Sequence, residues 1–399
     1  MKRILCTAVA ALSLCGFYGA AEARTLEEIL RDKGVITEED YKQAVQKRDL
    51  AYYTPGRGIT VETRDGNYRA NIGGRIQTRY TYQDFDDSAK DDSSNFNIQR
   101  LRVSMNGNVF TKNLFYAWQH DFGGSGGSSL KDAVLGYKFN DAFSLRAGQF
   151  KAPTSRQQLT SSGRQMFVDR SLADDTFNLG RDRGVMANGA FADSMLEYRV
   201  GVFNGNGENR GNVGDDHMFA LRFDVNPLGR FSMDEPSFST SKPLLNIGAS
   251  FATAKTSQGA STNSRLTTRV ANVADFDNDW WTVTTNVHFK YQHLSLGGEF
   301  YFANVDPKGS TDYDAHGYYV QAGYMLIPDT LEVAGRFSAI KSDDSGALRT
   351  FDKQEYQAAI SYYFRKHNAK LQADFTRVND DDNANSDDNI FRLQAQLLF

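Results

Sequence analysis

Long segments of this chain alternate apolar and polar side chains with a period of two. Ile72, Gly74, Ile76, Thr78, Tyr80 and Tyr82 alternate with Asn71, Gly73, Arg75, Gln77, Arg79 and Thr81. Trp281, Val283, Thr285, Val287, Phe289 and Tyr291 alternate with Thr282, Thr284, Asn286, His288 and Lys290. Phe391, Leu393, Ala395, Leu397 and Phe399 alternate with Arg392, Gln394 and Gln396. A strand turns successive side chains to opposite faces, so each segment has one apolar and one polar face. Most of these segments run about ten to thirteen residues, against about five or six for a globular strand and about nine to eleven for a tilted membrane strand.

The pattern predicts about sixteen strands. In the first half they lie near 70–82, 96–109, 113–122, 130–139, 143–151, 183–192, 195–204 and 216–226. The second half adds 243–254, 279–291, 293–305, 316–327, 330–341, 352–364, 369–379 and 389–399. Connections alternate between long ones, such as 83–95, 152–182 and 255–278, and short ones, such as Asp193-Ser194 and Pro328-Asp329. Short turns on one rim and long loops on the other characterise an outer-membrane barrel. The segment 227–242 is long where a short turn is due, and reads either as an unusual periplasmic turn or as a miscounted strand.

Lipid cannot satisfy backbone N–H and C=O groups, so a membrane sheet must close on itself. Its apolar face then meets hydrocarbon and its polar face meets water inside. The expected fold is therefore all-β: a transmembrane antiparallel barrel preceded by a short helical segment. With 40% hydrophobic residues and a mean hydropathy of −0.53, a bundle of spanning helices is excluded beyond the N-terminus. Tyr80, Tyr82, Tyr137, Phe139, Tyr291, Tyr362 and Phe364 fall near strand ends, where interface girdles lie.

Residues 1–23 read as a secretory signal: Lys2 and Arg3, an apolar run from Ile4 to Tyr18, and Ala21-Glu22-Ala23 at the cleavage site. A lipidated Cys15 is the rival reading, disfavoured by the bulky Leu14 before it. Both cysteines, Cys6 and Cys15, lie in this segment, so the mature chain has no thiol chemistry and no disulfides. Removal of Lys2, Arg3 and Glu22 takes the formal net charge from −4 to −5. That balance argues against a nucleic-acid partner. Residues 24–56 are expected to form a periplasmic helical segment and linker. Leu26, Ile29 and Leu30 share one face, Gly34 stops the first helix, and Thr37 with Asp40 caps a second. Residues 57–399 are the expected barrel domain.

The stretch 146–183 concentrates positive charge. Arg146, Lys151, Arg156, Arg164, Arg170, Arg181 and Arg183 stand against Asp169, Asp174, Asp175 and Asp182. It contains the longest expected loop, and loops that long in a compact domain are usually functional. Folded into the barrel, its arginines would narrow the lumen and favour anions. Arg75, Arg79, Arg100 and Arg102 lie on polar strand faces. Residues two apart, such as Arg100 and Arg102, point the same way about 6.8 Å apart. An inward arginine is cheap in water, whereas one at the lipid midplane costs about 2–4 kcal/mol.

Several of these pieces resemble the phosphate-selective porin O/P family of bacterial outer membranes. They are Asp65-Gly66-Asn67 leading to Gly74-Arg75-Ile76-Gln77, Arg100-Leu101-Arg102 with Gly107, Gly148-Gln149-Phe150-Lys151 with Pro153, and Arg181 through Gly184 into Gly189. The resemblance spans roughly 57–399. It implies a sixteen-stranded, usually trimeric barrel with an inward-folded third loop, and the terminal Phe399 looks like the family's assembly signal. It also implies an anion path lined by arginine and lysine, with Arg75, Arg100 and Arg102 on matching motif positions. The expected function is passive diffusion of small solutes, with anions such as phosphate preferred, and no cofactor. The expected pore-lining set is Arg75, Arg79, Arg100, Arg102, Lys151, Arg156, Arg164, Arg170, Arg181 and Arg183. Lipid, lipopolysaccharide and small anionic solutes are the expected partners.

Two other readings fit the same chain: a structural or adhesive barrel, and an outer-membrane hydrolase. The hydrolase needs a nucleophile and base, yet none of the six histidines, His120, His217, His288, His293, His316 and His367, sits in a catalytic signature. Two near-motifs fail. Asp275, Asp277 and Asp279 begin like a calcium loop, but Trp280 and Asn286 replace the required Gly and Glu. Gly205-Asn206-Gly207 lacks the third Gly of a dinucleotide fingerprint. Acidic clusters at Asp84, Asp86, Asp87, Asp91, Asp92 and 380–382 fall on long loops, where divalent cations would bridge them to lipopolysaccharide.

Overall fold

The computed structural model describes residues 26–46, 50–85, 91–124, 127–212, 214–256, 266, 269–270, 277–308, 311–343, 351–381 and 387–399. The expected signal segment with Cys6 and Cys15, and the residues Asp86, Asp87, Asp275 and Asp382, lie outside them. The chain divides into two compact units, residues 1–50 and 51–399. In the first, helices α1 (Leu26–Asp32) and α2 (Glu38–Gln46) form a hairpin. The Asp40 N–H donates to Thr37 Oγ1 (3.1 Å) and the Thr37 N–H to Asp40 Oδ2 (3.1 Å), a reciprocal cap with Asp in place of Glu. Gly34, at φ +65°, turns the chain between them.

The second unit is a closed barrel of sixteen antiparallel strands. Two short strands, β1 (Leu50–Thr54) and β2 (Gly58–Glu62), precede it. The wall then runs β3 (Arg69–Phe85), β4 (Ser93–Asn108), β5 (Leu114–Asp121), β6 (Ser129–Lys138), β7 (Ser144–Lys151), β8 (Arg181–Phe191), β9 (Leu196–Phe203) and β10 (Met218–Val225). It continues with β11 (Thr240–Thr256), β12 (Asn278–Gln292), β13 (Leu294–Pro307), β14 (Tyr313–Ile327), β15 (Leu331–Ser342), β16 (Asp352–Tyr363), β17 (Ala369–Asp380) and β18 (Asp388–Leu398). Each strand pairs with the next, and β18 closes on β3 with Leu393 opposite Tyr80. Each of the sixteen expected strands is present, with ends shifted by no more than about three residues.

Closure is sealed at the C-terminus. The Gly74 N–H donates to the Phe399 carbonyl (2.6 Å) and the Phe399 N–H to the Gly74 carbonyl (3.0 Å). The Phe399 ring lies over Gly74, where a Cβ would stand 2.6 Å from it, so the approach requires glycine. Beyond this point β2 takes over the edge of β3, with Ile59 opposite Ile72.

The two faces of the wall are inverted relative to a soluble protein. Exposed positions are apolar: Val287, Phe300, Val320, Ile360 and Phe375 are 44–55% exposed. Buried positions are polar, among them Gln77, Arg222, Asn246, Asn286, Glu299 and Gln372. Such an arrangement is favourable only with hydrocarbon outside and a polar interior. Residues 226–239, between β10 and β11, are a true connection on the short-turn rim rather than a missed strand. They fold into the barrel, burying Phe231, Glu235 and Ser237.

Candidate ion pathway

The long connection 152–180 folds into the lumen and carries two short helices, α3 (Arg156–Leu159) and α4 (Leu172–Phe177). Their ends are satisfied by the wall. Glu299 on β13 accepts the N–H groups of Arg156 (2.9 Å) and Gln157 (2.6 Å) at the start of α3. Ser155 and Ser171 are the N-caps, accepting from Gln158 and Asp174 (both 3.0 Å). The Ala173 N–H donates to Ser338 Oγ (3.0 Å) and the Leu172 N–H to Glu355 (3.1 Å). Phe177 then packs with Tyr301, Ala315 and Ile340 in the apolar cluster inside the barrel. Between the helices, Asp169 receives Arg79 Nη1 and Nη2 (2.8 and 2.9 Å), and Val168 N–H donates to Asp374 (3.0 Å).

From the opposite rim, residues 226–239 meet this loop. Glu235 accepts the Met166 N–H (2.8 Å) and Gln157 Nε2 (3.2 Å), while its own N–H donates to the Arg164 carbonyl (3.0 Å). Lys290 donates to the Asp234 carbonyl and to Ser232 Oγ. Together the two segments fill the half of the barrel bounded by β10 to β18. Free space remains along β3 to β9.

Two cavities there meet at Arg102. The one toward the long-loop rim holds about 490 Å³ and is lined by Arg100, Arg102, Lys131, Arg170, Arg181 and Arg210 among others. The one toward the short-turn rim holds about 690 Å³. Its charged side chains are Arg57, Arg69, Arg75, Arg102, Lys112 and Arg164, and among the described residues no Asp or Glu side chain lines it. A wide concavity of about 1180 Å³ lies elsewhere, on the outward face of β10 to β15. Phe223, Val287, Phe300 and Val320 line it, so it faces hydrocarbon and not the lumen.

The ten expected cations occupy four kinds of position. Arg75, Arg100, Arg102, Arg164, Arg170 and Arg181 line the two cavities. Of these, Arg102 is bridged to Asp121 (2.6 Å), Arg181 to Asp132 (3.0 Å) and Arg164 to Asp234 (3.4 Å). Arg170 spans the Gln157 and Thr160 carbonyls (both 3.1 Å) and reaches Asp174 at 3.5 Å. Arg75 and Arg100 instead contact neutral groups, Ser161 Oγ (3.2 Å) and Gln77 Oε1 (3.0 Å). Arg79 and Lys151 hold the inserted loop, the latter by donating to the Leu159 and Thr160 carbonyls (3.0 and 3.2 Å). Arg156 is packed over Phe231 (4.8 Å) beside Asp224 (3.8 Å) on the filled side. Arg183, opposite Gln149 on β7, is exposed and lines neither cavity.

Lys112, Arg146, Arg199 and Arg230 line lumen space without belonging to the expected set. Arg146 has a legible signal, since it shares a strand face with Ser144 in the period-two pattern. Lys112 and Arg230 sit on turns, whose side chains carry no periodicity to read. The two near-motifs become ordinary loop chemistry: Asp277 bridges Lys308 (3.1 Å) and Asp279 bridges Lys255 (3.3 Å). The Gly205 and Gly207 N–H groups donate to Asp182 (2.8 and 3.3 Å).

A family model described as phosphate-selective porin O and P matches residues 70–399. A relative from Aquifex aeolicus described only as an uncharacterized protein is 24% identical over 444 aligned positions, covering all of both chains. Among solved structures, the anion-selective porin from Comamonas acidovorans superposes with a TM-score of 0.60 at 12% identity, over 83% of this chain and 99% of that one. Salmonella typhi OmpF, in complex with daunomycin, gives 0.57 at 14% identity, over 88% and 100%. The channel DcaP of Acinetobacter baumannii gives 0.54 at 16% identity, over 85% and 99%. These likenesses establish the barrel, and the family match covers nearly all of it: the chain belongs to the phosphate-selective porin O and P family and is an outer-membrane porin.

Proposed function

We propose that the channel conducts small anions in preference to cations, by passive diffusion through the space between the inserted loop and β3 to β9. The observation that carries this is the cavity toward the short-turn rim, the lower cavity, where among the described residues six cationic side chains and no Asp or Glu side chain line the wall. Arg75 among these, and Arg100 in the neighbouring cavity, are charges positioned by neutral partners. A positive, low-dielectric constriction concentrates anions and repels cations. Nothing in this process calls for a nucleophile, a cofactor or turnover. The acidic loop residues Asp84, Asp91, Asp92, Asp380 and Asp381 support contact with lipopolysaccharide through bridging divalent cations. The fold supports assembly into a homotrimer, since one similar structure, OmpT of Vibrio cholerae, is described as a trimer form.

The test is the reversal potential of single channels in a potassium chloride gradient. The wild-type channel is expected to show chloride preference. A unit charge about 4 Å away in water is worth about 1 kcal/mol to a passing ion. Replacing Arg75 and Arg100 together by Gln should therefore lower the anion-to-cation permeability ratio several-fold. Arg156→Gln, on the filled side, should leave the ratio near its starting value. A cation-preferring wild-type channel refutes the proposal and leaves the barrel intact.

A further inference from the structure

A recess of about 810 Å³ opens along β6 to β9 and shares Lys112 and Phe115 with the lower cavity. Two of its cations are neutralised in place, Lys138 by Asp141 (2.6 Å) and Arg199 by Glu197 (2.9 Å). Among the described residues Arg146, Lys112 and Arg230 have no such bridge, and Asp193 is the one lining carboxylate left over. Arg146 is held instead by a neutral side chain: its Nε and Nη2 donate to Asn188 Oδ1 (3.1 and 2.9 Å). The guanidinium is therefore fixed in position with its charge uncompensated.

Aromatic rings stand beside it. The Arg146 guanidinium carbon is 5.8 Å from the centre of the Phe115 ring and 6.0 Å from that of Phe150. Phe115 is an inward-facing aromatic on an otherwise polar stretch of wall. Its ring rests against Gly136, where a Cβ would come within 2.3 Å of it. A side chain at 136 would push the ring off the wall, so the notch and the ring are built together. The remaining surface of the ring borders both the lower cavity and the recess.

A fixed guanidinium next to a seated aromatic ring matches one class of solute. A carboxylate takes charge-assisted hydrogen bonds from the guanidinium. A planar ring attached to that carboxylate stacks on Phe115 and removes its apolar surface from water. Inorganic anions gain only the first of these contacts. We propose that the recess is a binding site for aromatic carboxylates, with the carboxylate on Arg146 and the ring on Phe115. This deepens the anion-preferring reading and rests on it.

The probe is a pair of anions of equal charge and similar size, benzoate and cyclohexanecarboxylate. Each is titrated separately against single channels carrying chloride current. Benzoate is expected to reduce the current at a concentration about two- to tenfold lower, the gain that aromatic stacking provides. Phe115→Leu should erase the difference between the two, and Arg146→Gln should weaken inhibition by both. Equal inhibition in the wild-type channel, or a difference that survives Phe115→Leu, overturns the proposal. The potassium chloride reversal potential, recorded on the same channels, reads the anion preference by itself. Chloride preference without ring discrimination defeats this site alone, whereas cation preference defeats both readings.

Discussion

Arg75 and Arg79 share one face of β3 four residues apart, yet they do different work. Arg75 opens onto the lower cavity, whereas Arg79 is consumed by Asp169 and by Gln394 (3.0 Å). Asp169 belongs to the inserted loop and not to a strand. Burial pushes its carboxyl up, but Arg79 and Arg392 overcome this and hold it well below the usual carboxylate range. A carboxyl depressed in the folded state stabilises it at pH values above its unfolded value of about 3.9, and that contribution is lost as pH falls through the folded value. The Asp169 contribution to the loop's position should therefore stay intact from pH 7 to about pH 4 and be lost only in stronger acid. Asp169→Asn should raise open-channel noise throughout that range. Strand parity makes the inward direction of both arginines legible in the sequence. Their different fates are not legible, because the deciding partners lie 90 and 315 residues away.

At the scale of elements, two connections shape the pore from opposite rims. The loop 152–180 announces itself by length and charge. The segment 226–239 shows in the sequence only as a break in the long–short alternation. Its destination depends on Glu235, which accepts from Met166 and Gln157 in the other inserted segment. Glu235→Ala leaves two buried donors of that segment without their acceptor, at a cost of about 1–3 kcal/mol each. Conductance and current noise should rise in that variant, while the heat-resistant, fast-migrating barrel persists on electrophoresis. An unchanged current would show that the lower segment does not position the loop.

For the whole molecule, the governing fact is which solvent touches which face. Val320 is 55% exposed at the middle of β14, and Ser104 lines the lower cavity. Val320→Arg should destabilise the barrel by about 2–4 kcal/mol, as a charge at the hydrocarbon midplane does. Ser104→Arg should cost much less, because the lumen is wet. Urea unfolding in lipid vesicles measures both. Comparable costs at the two sites would contradict the assignment of faces.

Period-two alternation over long strands, by itself, determined a closed barrel, its strand order and the face that most strand side chains take, Arg183 being an exception. That information is local, since pleating fixes direction from one residue to the next. Which cations remain free to meet an ion was decided only by tertiary structure. Arg102 loses part of its field to Asp121, Lys151 is spent on two carbonyls, and Arg146 keeps its charge because Asn188 is neutral. Neutralisation depends on groups brought within a few ångströms across strands and loops, and no pattern along one strand encodes it.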